Sequence, residues 1–172
     1  MNLYTVSTDY IDFLRKFQIN VWMNEENYRL RPYVGVVMKL DRCEYFAPLS
    51  SPKPKHSHMK DRLDFIRLEH RGQLKGVVNL NNMIPVTADV SSPLEINSVA
   101  DEGYRHLLNV EMIDIRRKSG IIAKNALIVY RIVTKFGHEP QNAKLVAICY
   151  DFLMLESKLD EYLRANHAVK QQ

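Results

Sequence analysis

Cysteine is scarce in this chain, and no long apolar run occurs in it. Cys43 and Cys149 are the only cysteines among 172 residues, and neither belongs to a metal-ligand spacing. Two reduced core thiols therefore fit better than a disulfide framework. No stretch reaches about 18 apolar residues, and the first residues lack the basic start and apolar centre of a signal peptide. We expect a cytoplasmic protein with no membrane contact.

The common catalytic signatures are absent as well. The sequence has no Gly-rich phosphate loop, no His-Glu-x-x-His helix and no Gly-x-Ser-x-Gly elbow. His56 and His58 form a pair, but no obvious carboxylate or cysteine completes the three or four ligands that zinc needs. We therefore predict no metal site and no other cofactor.

A proline-stiffened loop after an apolar strand is the most informative feature that is present. Residues 45–56 read Tyr-Phe-Ala-Pro-Leu-Ser-Ser-Pro-Lys-Pro-Lys-His. Each of the three prolines fixes its own φ and biases the residue before it towards extended backbone. Ser50, Ser51 and Lys53 are thereby presented on a low-entropy scaffold at the end of a strand, which suits a site that grips and polarises a phosphate.

The first half of the chain is predicted to be rich in strands. After a strand at 3–6, Ser7 is a plausible cap for a helix that carries apolar residues from Tyr10 to Phe17. Short runs of alternating or β-branched residues then indicate further strands at 33–40, 43–49, 63–69, 75–80 and 83–86. Tight turns between them indicate a curled antiparallel sheet or small barrel.

The second half is predicted to be helical, with a break at 91–93. Apolar stripes at helical spacing indicate helices at 101–118, at 119–136 with Gly137 as its stop, and at 142–164. The expected fold class is therefore α+β: a curled antiparallel β core with an N-terminal helix, on which a helical C-terminal half packs. We expect one domain over residues 1–172.

Hydroxyls and fixed cations are the chemistry that clusters in the first half. The candidate catalytic residues are Tyr28, Arg31, Ser50, Ser51 and Lys53. Such a set suits RNA cleavage without a metal, because the nucleophile is the 2′-OH of the substrate itself. The protein need only align that hydroxyl, move protons and stabilise charge on the phosphoryl oxygens.

Basic residues concentrate in and after the loop. Residues 53–75 hold seven Lys or Arg against three acids, so this segment alone matches the +4 net charge of the whole chain. A basic face attracts a polyanion and steers its approach. The predicted RNA contacts are Lys55, His56, His58, Lys60, Arg62, Arg71 and Lys75.

Two other classes of function use the same residues. A non-catalytic RNA-binding or regulatory barrel would use the basic face alone. A serine hydrolase would use Ser51 as nucleophile and Lys53 as base, although no oxyanion element is recognisable. Ser51 also stands before a proline, where an ordinary turn residue is common.

Four ordered blocks of the first half resemble the ToxN/AbiQ endoribonucleases, the toxins of type III toxin–antitoxin systems. The match is strongest to the members that act in phage abortive infection. The blocks are Leu-Tyr-Thr-Val-Ser at 3–7, Tyr28 with Arg-Pro-Tyr-Val-Gly-Val-Val at 31–37, Tyr-Phe-Ala-Pro-Leu-Ser-Ser-Pro-Lys at 45–53 and Gly-Val-Val-Asn-Leu-Asn-Asn-Met-Ile-Pro at 76–85.

The resemblance implies a curled sheet related to the MazF and Kid toxins, with added helices. It implies metal-independent, sequence-specific cleavage that leaves a 2′,3′-cyclic phosphate and a 5′-hydroxyl. It also implies two RNA partners, the target RNA and a small repeated pseudoknot RNA. The toxin would trim that antitoxin RNA from its precursor and be inhibited by it, with a higher-order RNA–protein assembly as a further expectation.

The resemblance places Tyr28, Ser51 and Lys53 on active-site positions. Ser50 falls where ToxN has threonine, which keeps a hydroxyl. Arg31 falls where ToxN has lysine, and its spacing from Tyr28 is one residue shorter. Because arginine stays protonated, Arg31 can stabilise phosphate charge but cannot act as a base. The identity of the general base stays open.

Overall fold

Antiparallel strands dominate the first half of the computed structural model, which describes residues 1–26, 29–54, 56 and 59–169. The strands are β1 (Asn2–Val6), β2 (Glu25–Glu26), β3 (Arg29–Leu30), β4 (Tyr33–Lys39), β5 (Glu44–Ser50), β6 (Phe65–His70), β7 (Gln73–Asn79), β8 (Ile84–Val86) and β9 (Ser91–Pro93). Seven of them form one sheet in the order β6-β7-β5-β4-β1-β9, with β8 paired to β5, and β2 pairs with β3 alone.

The strand β5 is the most thoroughly paired strand of the sheet. On one side it pairs with β4, where Val34 opposes Ala47. On the other side its first residues pair with β8 and its last two, Leu49 and Ser50, pair with β7. Because β5 changes neighbour along its length, the sheet curls around it. Ser50 therefore lies where the central strand leaves the sheet.

The described residues form five α-helices. They are α1 (Thr8–Arg15), α2 (Glu102–Arg117), α3 (Ser119–Lys135), α4 (Ala143–Val146) and α5 (Phe152–Val169). The helix α2 packs on β6, α3 on β4, and α5 on β8. The central residues of β5 are buried, as are Tyr10, Ile11 and Leu14 of α1. No helix in the part of the chain that the structure describes has the length and apolar character needed to cross a membrane.

The predicted α+β class with a curled antiparallel sheet is confirmed. The six predicted strands are present with ends shifted by at most two residues, and α2 lies within the predicted 101–118. Asp101 caps α2, since its carboxylate accepts a hydrogen bond from the Tyr104 amide at 2.8 Å. Ser7 occupies the N-cap position of α1, but its side chain makes no capping hydrogen bond.

The predicted break at 91–93 does precede the helical half, but its residues form a strand, which was not predicted. Ser91, Ser92 and Pro93 form β9, which pairs with β1 so that Tyr4 opposes Pro93. A strand at the edge of the sheet accommodates proline because the missing amide is not needed for a second ladder. The free edge of β1 lies far away in sequence, so local composition could not reveal this pairing.

The predicted continuous helix at 142–164 is also wrong, because α4 ends at Val146 and α5 begins at Phe152. Tyr150, which is buried, turns away from helical geometry. Its amide donates to the Asn81 carbonyl at 3.1 Å and its hydroxyl to the Asn20 carbonyl at 2.8 Å. Asp151 then accepts from the Met154 amide and starts α5.

Candidate active site

A groove of about 520 Å³ opens where β5 ends, and we call it the β5 groove. It is lined by four of the predicted catalytic residues, Arg31, Ser50, Ser51 and Lys53. The other wall comes from residues 20–23, with Arg15 of α1 beside them. The Leu49 amide donates to the Pro32 carbonyl at 2.9 Å, and this contact holds the chain around Arg31 against the end of β5.

Ser50 is oriented by a buried amide on the neighbouring strand. Asn79 of β7 donates from Nδ2 to the Ser50 Oγ at 3.2 Å. Its side chain also lies 3.4 Å from the carbonyls of Pro48 and Val77. Because a hydroxyl has one proton and two lone pairs, an Oγ that accepts from Asn79 keeps its own proton for another acceptor. The Ser50 hydroxyl is therefore arranged as a donor.

Arg31 is half-buried and held at two points. Its Nε donates to the Met23 carbonyl at 3.2 Å, and its guanidinium carbon lies 4.8 Å from the centre of the Trp22 ring. Stacking on an indole and one fixed N–H define the plane of the guanidinium group. The groove therefore has a cation whose direction is set by the protein before a phosphate binds.

Ser51 and Lys53 are exposed, and a short local network shapes the loop that carries them. The Lys53 amide donates to the His56 Nδ1 at 3.0 Å, and the His56 amide donates to the Lys53 carbonyl at 2.8 Å. The imidazole is buried against the ring of Phe65, with centroids 5.0 Å apart. His56 thus supports the backbone of Lys53 from beneath the loop.

The remaining predicted residues lie in three different settings. Lys60 and Arg62 are exposed, and Arg62 donates from Nε to the buried Asp64 carboxylate at 3.1 Å. Arg71 and Lys75 lie on the β6–β7 hairpin and line a different groove. Three predicted residues fall outside the described residues: Tyr28, Lys55 and His58.

A carboxyl group lies behind the β5–β7 ladder. Glu111 of α2 is 3% exposed, and burial raises the pKa of its carboxyl to about 8. A Cβ at Gly76 would collide with the Oε1 of Glu111 and would lie 3.5 Å from the Ser50 carbonyl oxygen. The absence of a side chain at Gly76 therefore lets this carboxyl approach the backbone that positions Ser50.

Both cysteines are free thiols, as predicted. Cys43 is buried and Cys149 half-buried, and burial raises the pKa of each thiol to about 12. Such thiols are protonated at neutral pH and are poor nucleophiles. Within the described ranges, no three His, Cys, Asp or Glu side chains are grouped closely enough to hold a metal ion.

Sequence reasoning missed Asn79 and Glu111. Asn79 follows two valines and precedes a leucine, so a polar side chain inside an apolar run was an available signal. Glu111 stands beside Met112 in the predicted helix, one turn after the buried Leu108. A carboxyl on the apolar stripe of a helix was the corresponding signal there.

The chain is similar to known toxins over most of its length. The family described as toxin ToxN of the type III toxin–antitoxin system matches residues 2–160. Endoribonuclease ToxN of Bacillus thuringiensis subsp. kurstaki is 31% identical over 168 residues, which cover 96% of this chain and 86% of that protein. Endoribonuclease AbiQ of Lactococcus lactis subsp. lactis is 33% identical over 170 residues, with 94% and 89% covered.

A solved structure shares the fold as well. It belongs to a type III toxin–antitoxin system in which a non-coding RNA pseudoknot selectively inhibits the toxin. Its chain superposes on this one with a TM-score of 0.84 at 30% identity, and the match covers 94% of this chain and 98% of the other.

Proposed function

This chain belongs to the ToxN family of type III toxin–antitoxin toxins, and we propose that the β5 groove is the place where it cuts RNA. The protein is an endoribonuclease toxin. The observation that carries the proposal is that one groove brings together the hydroxyls of Ser50 and Ser51 with the cations of Arg31 and Lys53. Donors and fixed charge around one space suit a phosphodiester whose charge grows during reaction.

The proposed reaction uses the ribose hydroxyl of the substrate. The 2′-oxygen attacks the adjacent phosphorus, a P–O bond forms, and the bond from phosphorus to the 5′-oxygen breaks. The 2′-hydroxyl loses a proton and the departing 5′-oxygen gains one, so the products are a 2′,3′-cyclic phosphate and a 5′-hydroxyl. A phosphate held in line with the 2′-oxygen makes the attack effectively unimolecular. Every step proceeds without a metal.

Each of the four residues has a role that follows from its setting. Ser50 and Ser51 donate hydrogen bonds to the phosphoryl oxygens, and the contact from Asn79 sets the direction of the Ser50 donor. Arg31 neutralises charge from a fixed plane above Trp22. Lys53, a flexible ammonium on a rigid loop, stabilises the transition state and supplies a proton to the 5′-oxygen.

The roles outside this cluster rest on sequence alone or on position. Tyr28 aligns or relays the proton of the 2′-hydroxyl. Lys60 and Arg62 contact the RNA backbone beyond the loop, together with Lys55 and His58. His56 acts by supporting the Lys53 backbone, since its Nδ1 already accepts the Lys53 amide.

We extend the proposal to RNA partners. The solved relative is inhibited by a non-coding RNA pseudoknot, and the same kind of ligand suits a groove that recognises an RNA backbone. The single domain formed by residues 1–172 would trim a repeated pseudoknot RNA and be inhibited by the trimmed product. Target RNA would be cut in the cytoplasm once that inhibitor is lost. Several toxins joined by the antitoxin RNA would form the higher-order assembly.

The test is cleavage of a labelled single-stranded RNA in excess EDTA. The variants are Ser51→Ala and Lys53→Ala, with Lys124→Ala on the exposed face of α3 as a matched loss of charge outside the β5 groove. Wild type and Lys124→Ala should cut and leave a cyclic phosphate on the 5′ fragment. The two groove variants and an RNA with a 2′-deoxy cut site should show no cutting.

Two results would overturn the proposal in different ways. Tight RNA binding by the wild type without cleavage would make this protein a binding module. Covalent labelling of Ser51 by a serine-reactive phosphonate, with cleavage lost in parallel, would make Ser51 a nucleophile and contradict attack by the 2′-oxygen.

A further inference from the structure

A second groove of about 550 Å³ lies between the β6–β7 hairpin and the first turns of α2. We call it the hairpin groove. His70, Arg71 and Lys75 line it from the hairpin, and His106 lines it from the helix. No carboxylate occurs among its described lining residues. Its charge therefore has one sign, and its volume is in the range of small-ligand sites.

The hairpin directs its polar groups to one side. His70 and Gln73 are directly opposed across the hairpin, and Lys75 follows two residues later at the bulge where the register between β6 and β7 shifts. Lys75 donates from Nζ to the Gln73 Oε1 at 2.7 Å, which holds the ammonium along this face. Arg71, with φ of 49°, forms the turn together with Gly72 and is exposed at the tip.

The helix α2 forms the opposite wall of the hairpin groove, and this wall is open at one end. The Glu69 amide donates to the Asp114 carboxylate at 2.7 Å and fixes α2 on the hairpin. Leu107 and Val110 form an apolar floor between the two walls. At Gly103 an added Cβ would meet only the Asp101 carboxylate at 3.4 Å, so the groove stays open at this end.

The two acidic residues at the start of α2 make contacts outside the hairpin groove. The Asp101 carboxylate caps α2 through the Tyr104 amide, and Glu102 lies 3.5 Å from the Arg105 guanidinium. Neither carboxylate is among the described lining residues of the hairpin groove. An anion that enters the groove therefore meets two cations and two imidazoles.

The two grooves adjoin each other through the sheet. Ser50 is paired with Val77, and Lys75 lies two residues earlier on β7, which is about 7 Å along the strand. The hairpin groove therefore begins about two residues along β7 from the position that is paired with Ser50.

We propose that the hairpin groove binds a second nucleotide of the same RNA strand, which flanks the nucleotide cut in the β5 groove. Its phosphate binds Arg71 and Lys75, the imidazoles of His70 and His106 donate to phosphate or sugar oxygens, and the ribose or base packs on Leu107. This inference rests on the proposed function. It makes recognition of RNA depend on a contact outside the cleavage site.

The test measures binding of single-stranded RNA to the Ser51→Ala protein as a function of salt concentration. Lys75→Ala and Arg71→Asn each remove one cation, and asparagine tolerates the positive φ of residue 71. Gly103→Phe fills the groove without changing charge. The controls are Lys124→Ala and Gly120→Phe on α3, since residue 120 has nothing within 4 Å of an added Cβ.

Each of the three groove variants should weaken binding about tenfold and reduce the slope of log K against log salt by about 0.7, the value of one phosphate contact on a single strand. On the active protein they should raise KM and leave kcat unchanged, with the melting temperature retained. The controls should match the parent protein in all of these measurements.

The possible results distinguish a failure of this inference from a failure of the proposed function. Groove variants that bind with the same affinity and salt slope as the controls would overturn the inference, even if the wild type cuts RNA. A wild type that does not cut RNA, while the groove variants still reduce the salt slope, would overturn the proposed function and leave the RNA site in place.

Discussion

Asn79 and Ser50 are joined across two paired strands by a hydrogen bond of 3.2 Å from amide nitrogen to hydroxyl oxygen. Asn79 is 7% exposed, so its amide is fixed by the core, whereas Ser50 faces the β5 groove. The contact links the interior of the sheet to the donor that is proposed to meet the phosphate. In the proposed function Asn79 would therefore be a positioning residue, which acts through Ser50 and not by contact with RNA.

Replacing Asn79 should therefore weaken cleavage through Ser50. We expect Asn79→Ala to lower kcat about tenfold with KM nearly unchanged, because the hydroxyl loses its fixed direction. In a double-mutant cycle with Ser50→Ala, the second substitution should add little. Asn81→Ala removes an amide from the adjoining turn and serves as the control. Additive losses in the cycle would show that Asn79 acts independently of Ser50.

The stacking of Arg31 on Trp22 gives a second prediction. Trp22→Ala should leave the guanidinium group of Arg31 free to change rotamer. We expect kcat/KM to fall about five- to tenfold, because Arg31 must then lose that rotamer freedom when RNA binds. Trp22→Phe should recover most of that loss because a ring face is restored. Single-turnover cleavage measures both variants. Equal activity of Trp22→Ala and wild type would contradict a role for the stacked pair.

Gly76 offers a test of packing behind the site. Gly76→Ala should destabilise the fold by about 1–3 kcal/mol, because its Cβ collides with the Glu111 carboxyl. Urea unfolding measures the change, and Gly76→Ala combined with Glu111→Ala should relieve part of it. The matched control is Gly120→Ala, which has open space within a helix and should leave stability equal or higher.

The raised pKa of Glu111 predicts a pH dependence of stability. The folded state holds this proton up to pH about 8, whereas the unfolded chain releases it near the ordinary value of 4.5. Wild type should therefore lose stability relative to Glu111→Gln as the pH rises from 4.5 to 8, and the difference should stay constant above that range.

The size of this difference should approach roughly 3–5 kcal/mol at pH 8.5, from about 1.4 kcal/mol per pKa unit. Denaturant unfolding of both proteins at pH 4, 6 and 8.5 measures it, and groups common to the two proteins cancel. The contribution of Glu111 titration to this difference should be close to zero at pH 4. A difference that is the same at all three pH values would show that Glu111 does not titrate in this range.

Local pattern predicted most of the sheet because its strands are short, β-branched and separated by recognisable turns. The loop after β5 was predicted for the same reason, since prolines act on their own neighbours. The elements that were not predicted from the sequence depend on contacts between residues that are far apart in the chain. The strand β9 exists because β1 has a free edge, and α5 starts late because Tyr150 bonds to Asn81 and Asn20.

In the site too, residues of one local segment could be predicted, whereas residues that act through contacts between distant elements could not. Ser50, Ser51 and Lys53 could be chosen from one segment, because the chain itself sets them side by side. Asn79 and Glu111 act through contacts between elements far apart in sequence, and a single sequence does not state which strand or helix they will face.

The central position of β5 in the sheet has a consequence for how the toxin can be inhibited. The Leu49 amide is bonded to the Pro32 carbonyl next to the site, within a strand that is paired on both sides. We expect amides in such a strand to exchange with solvent through opening of the whole fold rather than of one segment. We do not expect the fluctuation of one segment to disrupt the end of β5 that carries Ser50. We therefore expect inhibition of this site to depend on a ligand that fills the β5 groove, and we expect β5 to resist proteases that cut locally opened segments.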